Sequence, residues 1–213
     1  MQNIIHHFPT INANQLQQLE QLQDIFLDWN TKVNLISRKD TAHFIERHVL
    51  HSLAIAKVVN FPQESLVLDV GTGGGFPGIP LAILFPNVQF HLVDSIGKKI
   101  MVVNEVVQHI GLNNVKAEQI RAENVTNQYH YVVSRAVTRL KAFIPWITGK
   151  LINEKESNFE HTGLLYLKGG DISEEISEIS PKKSTIYNLS TFFEEAFFET
   201  KKIVHVPSSE LIK

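Results

Sequence analysis

The sequence predicts an α/β fold: a doubly wound, mostly parallel sheet with helices on both of its faces. Short apolar runs rich in Val and Leu alternate with segments whose apolar residues recur at helical spacing, which is typical of such sheets. The clearest unit is an apolar run over 65–70, a turn over 71–78 in which five of eight residues are glycine, and a helical segment after it. Glycine suits this turn because a residue without a Cβ atom lets the backbone bend tightly and approach a ligand.

Composition limits the class of protein. A chain of 213 residues with 43% hydrophobic and 20% charged residues can bury one sizeable core and is not typical of a disordered protein. The absence of cysteine excludes disulfides and thiolate-ligated metal centres and favours the cytoplasm. No signal-peptide pattern opens the sequence, and no apolar run has membrane-spanning length, so we expect no membrane partner. The net charge of −2 means that a nucleic-acid partner would need a local basic face.

The chain is predicted to have two parts, divided near Phe61-Pro62. Residues 1–60 are predicted to form an N-terminal helical cap, and residues 61–213 the domain that contains the sheet. In the first long helix of the cap the apolar residues recur every three or four positions, and the glutamines, Gln15 among them, are assigned to the exposed face. Further strands are predicted over 88–94, 114–120, 130–135 and 162–168. An antiparallel pair over 184–190 and 199–206 closes the sheet.

Two interpretations of the glycine turn compete. Residues 73–78 match the dinucleotide pattern G-x-G-x-x-G, and Asp94 lies near the distance expected for a ribose-binding acid. A single match of this kind is weak evidence for a dinucleotide. Its frame begins two residues after the first glycine, and Pro77 removes a backbone N–H that a pyrophosphate would need.

The frame that begins in the strand, over 67–75, fits a different pattern. It resembles the first motif of the Rossmann-like S-adenosylmethionine-dependent methyltransferases, which requires an acid before the glycines as well as the glycines. The methionine end of that cofactor is a zwitterion, so the backbone near Gly71 and the carboxylate of Asp69 can serve its ammonium group. Asp94, at the end of the second strand, can accept hydrogen bonds from both ribose hydroxyls.

The end of the fourth strand reads Ser134-Arg135-Ala136 and bears on the methyl acceptor. Exocyclic-amine methyltransferases carry an Asn- or Asp-Pro-Pro-aromatic turn there, and carbon-five pyrimidine methyltransferases need a cysteine; this sequence has neither. Together the motifs resemble the small-subunit ribosomal RNA guanine-N7 methyltransferases, or glucose-inhibited division protein B family. The motifs that carry this resemblance fall at 29–35, Arg47-His48 with Ser52, 69–80, 92–99, 134–136 and 167–169.

The resemblance implies a set of site residues. Arg135 is the predicted catalytic residue, assigned to the carboxylate of the cofactor or to an RNA phosphate. The predicted cofactor-binding residues are Asp69, Gly71, Gly73, Phe76, Asp94, Ser95, Ala122, Glu123 and Arg135. Position rather than resemblance predicts the substrate-binding residues, which lie near the predicted carboxyl ends of strands or in the following loops: Lys98, Lys99, Arg121 and Lys168. The histidines lack metal-ligand spacing, so no metal is predicted.

The implied chemistry needs few residues. Guanine N7 carries an in-plane lone pair, so no proton has to be removed before it attacks the methyl group of S-adenosylmethionine. The expected substrate is small-subunit ribosomal RNA, free or in a pre-assembled subunit, and the expected protein is a monomer. Two alternatives stay open: a small-molecule methyltransferase, and a non-catalytic, cofactor-binding RNA scaffold.

Overall fold

The sheet of the protein, shown by a computed structural model that describes residues 1–153, 159–179 and 184–212, has seven strands. They are β1 Leu66–Val70, β2 Gln89–Asp94, β3 Val115–Gln119, β4 Tyr131–Arg135, β5 Gly163–Gly169, β6 Thr185–Asn188 and β7 Lys201–Pro207. Their order across the sheet is β3-β2-β1-β4-β5-β7-β6. Strands β1 to β5 pair in parallel, and β7 pairs antiparallel with both β5 and β6. The predicted doubly wound sheet with an antiparallel closing strand is confirmed.

Helices cover both faces of the sheet. The helices are α1 Gln2–His7, α2 Ala13–Lys32, α3 Arg38–Thr41, α4 His51–Leu53, α5 Gly78–Leu84, α6 Gly97–His109, α7 Leu140–Ile147 and α8 Ser173–Ser177. A π-helical turn over Ile45–Leu50 leads into α4, and a 3₁₀ turn over Ala54–Lys57 follows it. A π-helical turn places side chains at angles that a regular helix cannot, and such turns occur often at functional sites.

The cap shares its core with the sheet. Leu19, Leu22 and Phe26 of α2 are fully buried and join one hydrophobic cluster with Ile79 of α5 and Val67 of β1. A second cluster lies between the other face of the sheet and α7. The N-terminal helical cap is therefore present and packed on the sheet, whereas the division of the chain at residue 60 stays a prediction.

Gln15 corrects one expectation about the cap. It was assigned to the exposed face of α2, but only 8% of it is exposed. Its Nε2 donates to the carbonyl oxygens of Ile83 and Leu84 at the C-terminal end of α5, both at 3.0 Å. The last carbonyls of a helix lack partners within that helix, so a glutamine from a neighbouring helix can satisfy them.

Within the described ranges, no helix is both long enough and apolar enough to span a membrane.

Asn114 joins α5 to the sheet and gives a test of the fold. Its buried Nδ2 lies within 3.1 Å of the carbonyl oxygens of Ala82, Phe85 and Val88. We expect Asn114→Ala to lower the free energy of unfolding by about 1–3 kcal/mol, because buried carbonyls lose their donor. Urea denaturation measures this. The exposed neighbour Asn113 is the control, and Asn113→Ala should change stability by less than about 0.5 kcal/mol. Equal effects would contradict this role.

Candidate active site

A cavity of about 1190 Å³ opens at the carboxyl ends of the parallel strands, where ligands bind in open α/β sheets. The glycine turn after β1, the end of β2 and the segment after β3 form one half of its wall. The segment after β4, the end of β5, the cap and the start of β7 form the other half. Typical small-molecule pockets measure about 300–1,000 Å³, so this cavity has room for more than one small ligand.

Asp69 stabilises the glycine turn from the buried side, opposite the cavity. It is fully buried, and its Oδ2 accepts hydrogen bonds from Thr72 Oγ1 at 2.6 Å and from the Gly78 amide at 2.9 Å. Its Oδ1 has no hydrogen-bond partner among the described residues. Burial raises the pKa of Asp69 to about 7, against the opposing effects of Thr72, Gly78 and the charge of Arg135. Asp69 does not line the cavity, so its predicted contact with the cofactor would have to be indirect.

The turn itself places Gly71, Gly73 and Phe76 on the cavity wall. Gly71 has a φ of +69°, and a Cβ atom there would lie 2.5 Å from Cγ2 of Val137. Only glycine fits this conformation and this close approach to the segment after β4. The Gly73 amide donates to Asp94 Oδ2 at 3.0 Å, which ties the turn to the end of β2.

Asp94 and Ser95 line the cavity beside this turn. Asp94 Oδ1 accepts from the Ile96 amide at 2.9 Å, and Lys99 Nζ lies 3.6 Å from Asp94 Oδ2. Each carboxylate oxygen has two lone-pair sites, so Asp94 keeps acceptor capacity for a ligand. Lys99 lines the cavity, but Lys98, one position earlier on α6, does not and is exposed. The structure thus separates two lysines that the sequence grouped together.

A 3₁₀ turn over Ala122–Asn124 follows β3 and closes this side of the cavity. Arg121, Ala122 and Glu123 all line it, and Ala122 is buried. Trp146 of α7 lies on the same wall; no motif in the sequence pointed to it.

Arg135 stands where the cap meets the sheet. Its Nη1 donates to the Arg47 carbonyl oxygen at 3.1 Å, and its Nη2 lies 3.1 Å from Nδ1 of His48. Its guanidinium lies 5.2 Å from the centroid of the Phe76 ring, within the range of a cation–π contact. Phe76 also contacts Phe26 of the cap edge-on, at 5.2 Å between ring centroids. One side chain therefore connects β4, the cap and the glycine turn.

His48 is held neutral by this arrangement. Burial, together with the charge of Arg135, lowers the pKa of His48 to about 4. A guanidinium has only donors, so Nδ1 of His48 must be the acceptor and its proton resides on Nε2. Burial also lowers the pKa of Arg135, to about 10, and Asp69 opposes that effect. Arg135 remains charged at neutral pH.

Two side chains of β5, Tyr166 and Lys168, hydrogen-bond to the segment that follows β4. Tyr166 Oη accepts from the amides of Val137 and Thr138 and donates to the Thr138 carbonyl oxygen at 2.8 Å. Lys168 Nζ donates to the same oxygen and forms an ion pair with Glu175 of α8, both at 2.6 Å. Lys168 lines the cavity as predicted, but these contacts engage it before any substrate arrives. Sequence reasoning missed Tyr166, because its position inside an apolar strand predicts only packing.

The structure thus brings together most of the predicted site residues. The cavity wall includes Gly71, Gly73, Phe76, Asp94, Ser95, Lys99, Arg121, Ala122, Glu123, Arg135 and Lys168. Asp69 lies beneath the turn and Lys98 lies outside the wall. The roles of all these residues stay predictions. Within residues 1–153, 159–179 and 184–212 there is no group of three or more His, Asp or Glu side chains arranged to hold a metal ion.

The fold and site define a class of protein: a Rossmann-like, S-adenosylmethionine-dependent methyltransferase. The chain belongs to the GidB family, described as rRNA small subunit methyltransferase G, whose family model matches residues 15–202. A ribosomal RNA small subunit methyltransferase G from Cytophaga hutchinsonii is 52% identical over 208 residues, covering 98% of this chain and 100% of that protein. Proteins of the same name from Flavobacterium psychrophilum and Phocaeicola vulgatus are 53% and 49% identical and cover 97% and 99% of this chain and 98% and 100% of their own lengths.

Solved structures agree on the fold. A precorrin-6y C5,15-methyltransferase from Geobacter metallireducens has a TM-score of 0.53 at 11% identity and covers 73% of this chain and 76% of its own. An rRNA methylase from Streptococcus thermophilus has a TM-score of 0.50 at 14% identity and covers 75% and 95%. At these identities the likeness concerns the fold alone. The predicted family and the predicted class of cofactor are confirmed by the family match.

The raised pKa of Asp69 gives a test of the site. Because the folded-state pKa, about 7, lies above the ordinary value of 3.8, the contribution of Asp69 to wild-type stability decreases as pH rises from about 4 to 7. Asp69→Asn lacks this titration. Its free energy of unfolding minus that of the wild type should therefore rise across that window, by an amount on the order of 4 kcal/mol.

Urea denaturation between pH 4 and pH 8 measures this difference. The matched control is Asp28→Asn, which removes an exposed carboxylate from α2 and should show no comparable rise. A difference between Asp69→Asn and the wild type that stays flat with pH would contradict the assignment of a raised pKa to Asp69.

Proposed function

We propose that this protein transfers the methyl group of S-adenosylmethionine to N7 of a guanine in small-subunit ribosomal RNA. Family membership and the names of the relatives support ribosomal RNA as the substrate. The choice of N7 rests on the resemblance found in the sequence and on one observation about the cavity. On the side of β4 and β5, the carboxylates that line the wall are ion-paired, and burial holds the pKa values of His48 and His51 below the ordinary 6.5, so no described group there is a strong base.

The residues of that side show why. His48 has a pKa of about 4, and its Nδ1 is turned to Arg135. Asp40 is paired with Arg47 at 2.8 Å, and Glu175 with Lys168 at 2.6 Å. Methylation of an exocyclic amine or a hydroxyl must release a proton from the acceptor atom, whereas guanine N7 attacks through a lone pair. The cavity therefore suits N7.

The residues at the ends of β1, β2 and β3 fit S-adenosylmethionine. The glycine turn is open to a ligand at Gly73, because a Cβ atom there would meet nothing within 4 Å. Asp94 has acceptor capacity left for ribose hydroxyls, and Ala122 offers an apolar surface to an adenine. When bound, the cofactor supplies a methyl group already activated by its sulfonium. Arg135 then has no proton to transfer; its role is to position the carboxylate of the cofactor or an RNA phosphate.

Basic side chains on the wall favour a nucleic-acid partner over a small molecule. Arg121 and Lys201 line the cavity and form no ion pair with another described residue. Arg135 adds a half-buried positive charge that hydrogen-bonds to no carboxylate in the described parts of the chain. A protein with a net charge of −2 needs a local basic face to bind nucleic acid, and these charges supply it. We also propose that the protein acts in the cytoplasm and as a monomer.

The proposal is tested with isotopically labelled S-adenosylmethionine and small-subunit RNA from cells that lack this protein, both protein-free and as assembled subunits. We expect label in RNA at 7-methylguanosine, identified by borohydride and aniline cleavage at the modified nucleotide. In transcripts in which 7-deazaguanosine replaces guanosine, a C–H replaces the N7 lone pair, and we expect transfer to fall at least 100-fold.

Transcripts with 7-deazaadenosine are the matched control and should accept methyl groups at the normal rate. Label in 7-deazaguanosine RNA would show that the acceptor is not N7. Label only in a small metabolite would favour the small-molecule alternative, and cofactor binding without any transfer would favour the scaffold.

A further inference from the structure

The cavity has a second set of groups, to which no step of the proposed methyl transfer assigns a role. They are Arg47 and His51 from the cap, Phe197 from the β6–β7 connection and Lys201 at the start of β7, and together we call them the acceptor wall. All four line the cavity on the side away from Asp94. We propose that the acceptor wall binds a nucleotide of the RNA substrate, with the base on Phe197 and a phosphate on Lys201. This inference rests on the proposed function and names the residues that hold its substrate.

The topology of the sheet places the acceptor wall at the same edge as the predicted cofactor-binding residues. Strand β6 pairs antiparallel with β7, which pairs antiparallel with β5, so β6 runs in the direction of the parallel strands. The connection from β6 to β7 therefore lies at the same sheet edge as the glycine turn. In the order β3-β2-β1-β4-β5-β7-β6, the cofactor groups belong to β1, β2 and β3, while Phe197 and Lys201 lie beyond β5. The end of β4, with Arg135, separates the two.

Phe197 is directed to the cavity by its neighbour. Phe198 is fully buried and stacks on Phe193, with ring centroids 4.3 Å apart and planes at 22°. Phe198 anchors the short 3₁₀ turn over Ala196–Thr200 in the core, and the ring of Phe197 packs edge-on against it at 5.1 Å while it stays half-buried on the wall. A half-buried phenyl ring on the wall of the cavity offers a surface on which a base can stack.

Cations surround this ring. Lys201 Nζ lies 4.6 Å from the ring centroid of Phe197, and Arg47 Cζ lies 5.8 Å from it. Arg47 is already paired with Asp40, whereas Lys201 has no ion-pair partner among the described residues. An aromatic ring beside an unpaired lysine presents both parts of a nucleotide site, a stacking face and a phosphate contact.

His51 adds a polar group that no described residue uses. Its ring meets the edge of Phe197 at 5.3 Å between centroids, with the planes at 83°. Only 7% of His51 is exposed, and its Nε2 has no hydrogen-bond partner in the described structure. Buried polar atoms are rarely left without partners, so an unpartnered ring nitrogen next to a half-exposed phenyl ring indicates a ligand group.

The central test is Phe197→Ala. We expect kcat/KM for small-subunit RNA to fall about 10- to 100-fold, the range that alanine produces at a base-stacking aromatic. Calorimetric Kd for S-adenosylmethionine should change less than twofold, because Phe197 lies across the cavity from Asp94. Phe197→Tyr and Phe197→Trp keep an aromatic face and should retain kcat/KM within about threefold. Phe197→Leu keeps apolar bulk without that face and should behave as alanine does.

Phe192 supplies the matched control. It lies on the same β6–β7 connection, is half-buried against the same hydrophobic cluster, and does not line the cavity. Phe192→Ala should leave kcat/KM for RNA within twofold. Lys201→Gln should weaken RNA binding and reduce the dependence of log K on log salt by about 0.7, the value for one phosphate contact of a single strand.

The outcomes separate the subsite from the proposed function. If wild-type protein methylates guanine N7 and Phe197→Ala or Phe197→Leu does so with unchanged kcat/KM, the subsite is wrong and the proposed function stands. A parallel loss of cofactor affinity, or an equal loss in Phe192→Ala, would mean that Phe197 only packs, and would also overturn the subsite. If wild-type protein transfers no methyl group to RNA, the proposed function fails first.

Discussion

The shape of the glycine turn depends on one buried carboxylate. Asp69 is the last residue but one of β1 and accepts hydrogen bonds from Thr72 and Gly78, near the two ends of the turn. A buried carboxylate without such donors would be costly, and burial raises the pKa of Asp69 to about 7 even with them. The same close contact requires glycine at position 78, where a Cβ atom would lie 2.7 Å from Asp69 Oδ2. The contacts of the turn with Asp94 and Val137 depend on the shape that this constraint gives it.

Arg135 has a comparable role on the opposite side of the cavity. It couples the end of β4 to His48 and to the Arg47 carbonyl, so the cap and the sheet meet at the point where methyl transfer is proposed. Among the described residues, its charge partners Asp69 and Asp40 act at a distance, which keeps donor capacity for an anionic ligand. The wall formed after β1, β2 and β3, where we propose that the cofactor binds, and the acceptor wall therefore come from different parts of the chain. Arg135 lies between them.

The sequence revealed those features that depend on neighbours along the chain. Strand ends, the glycine turn and Asp94 follow from apolar runs and the residues that interrupt them. The contact between His48 and Arg135 joins residues 87 apart and depends on a π-helical turn, for which the sequence carries no signal. Gln15 looked exposed because its partners belong to another helix. Successive residues of a helix point about 100° apart, so Lys98 and Lys99 face different directions. The sequence does not show which of these directions leads into the cavity. Phe197 lies in no motif at all.

The central claim is that one cavity holds the cofactor over β1 and β2 and presents its methyl group to the segment after β4. A crystal structure of the complex with S-adenosylhomocysteine tests it most directly. We predict ribose hydroxyls within 3.2 Å of Asp94, the amino-acid end at Gly71, and the sulfur atom directed towards Arg135 and away from Ala122. Adenosine bound elsewhere, or a sulfur atom turned away from β4, would contradict this account.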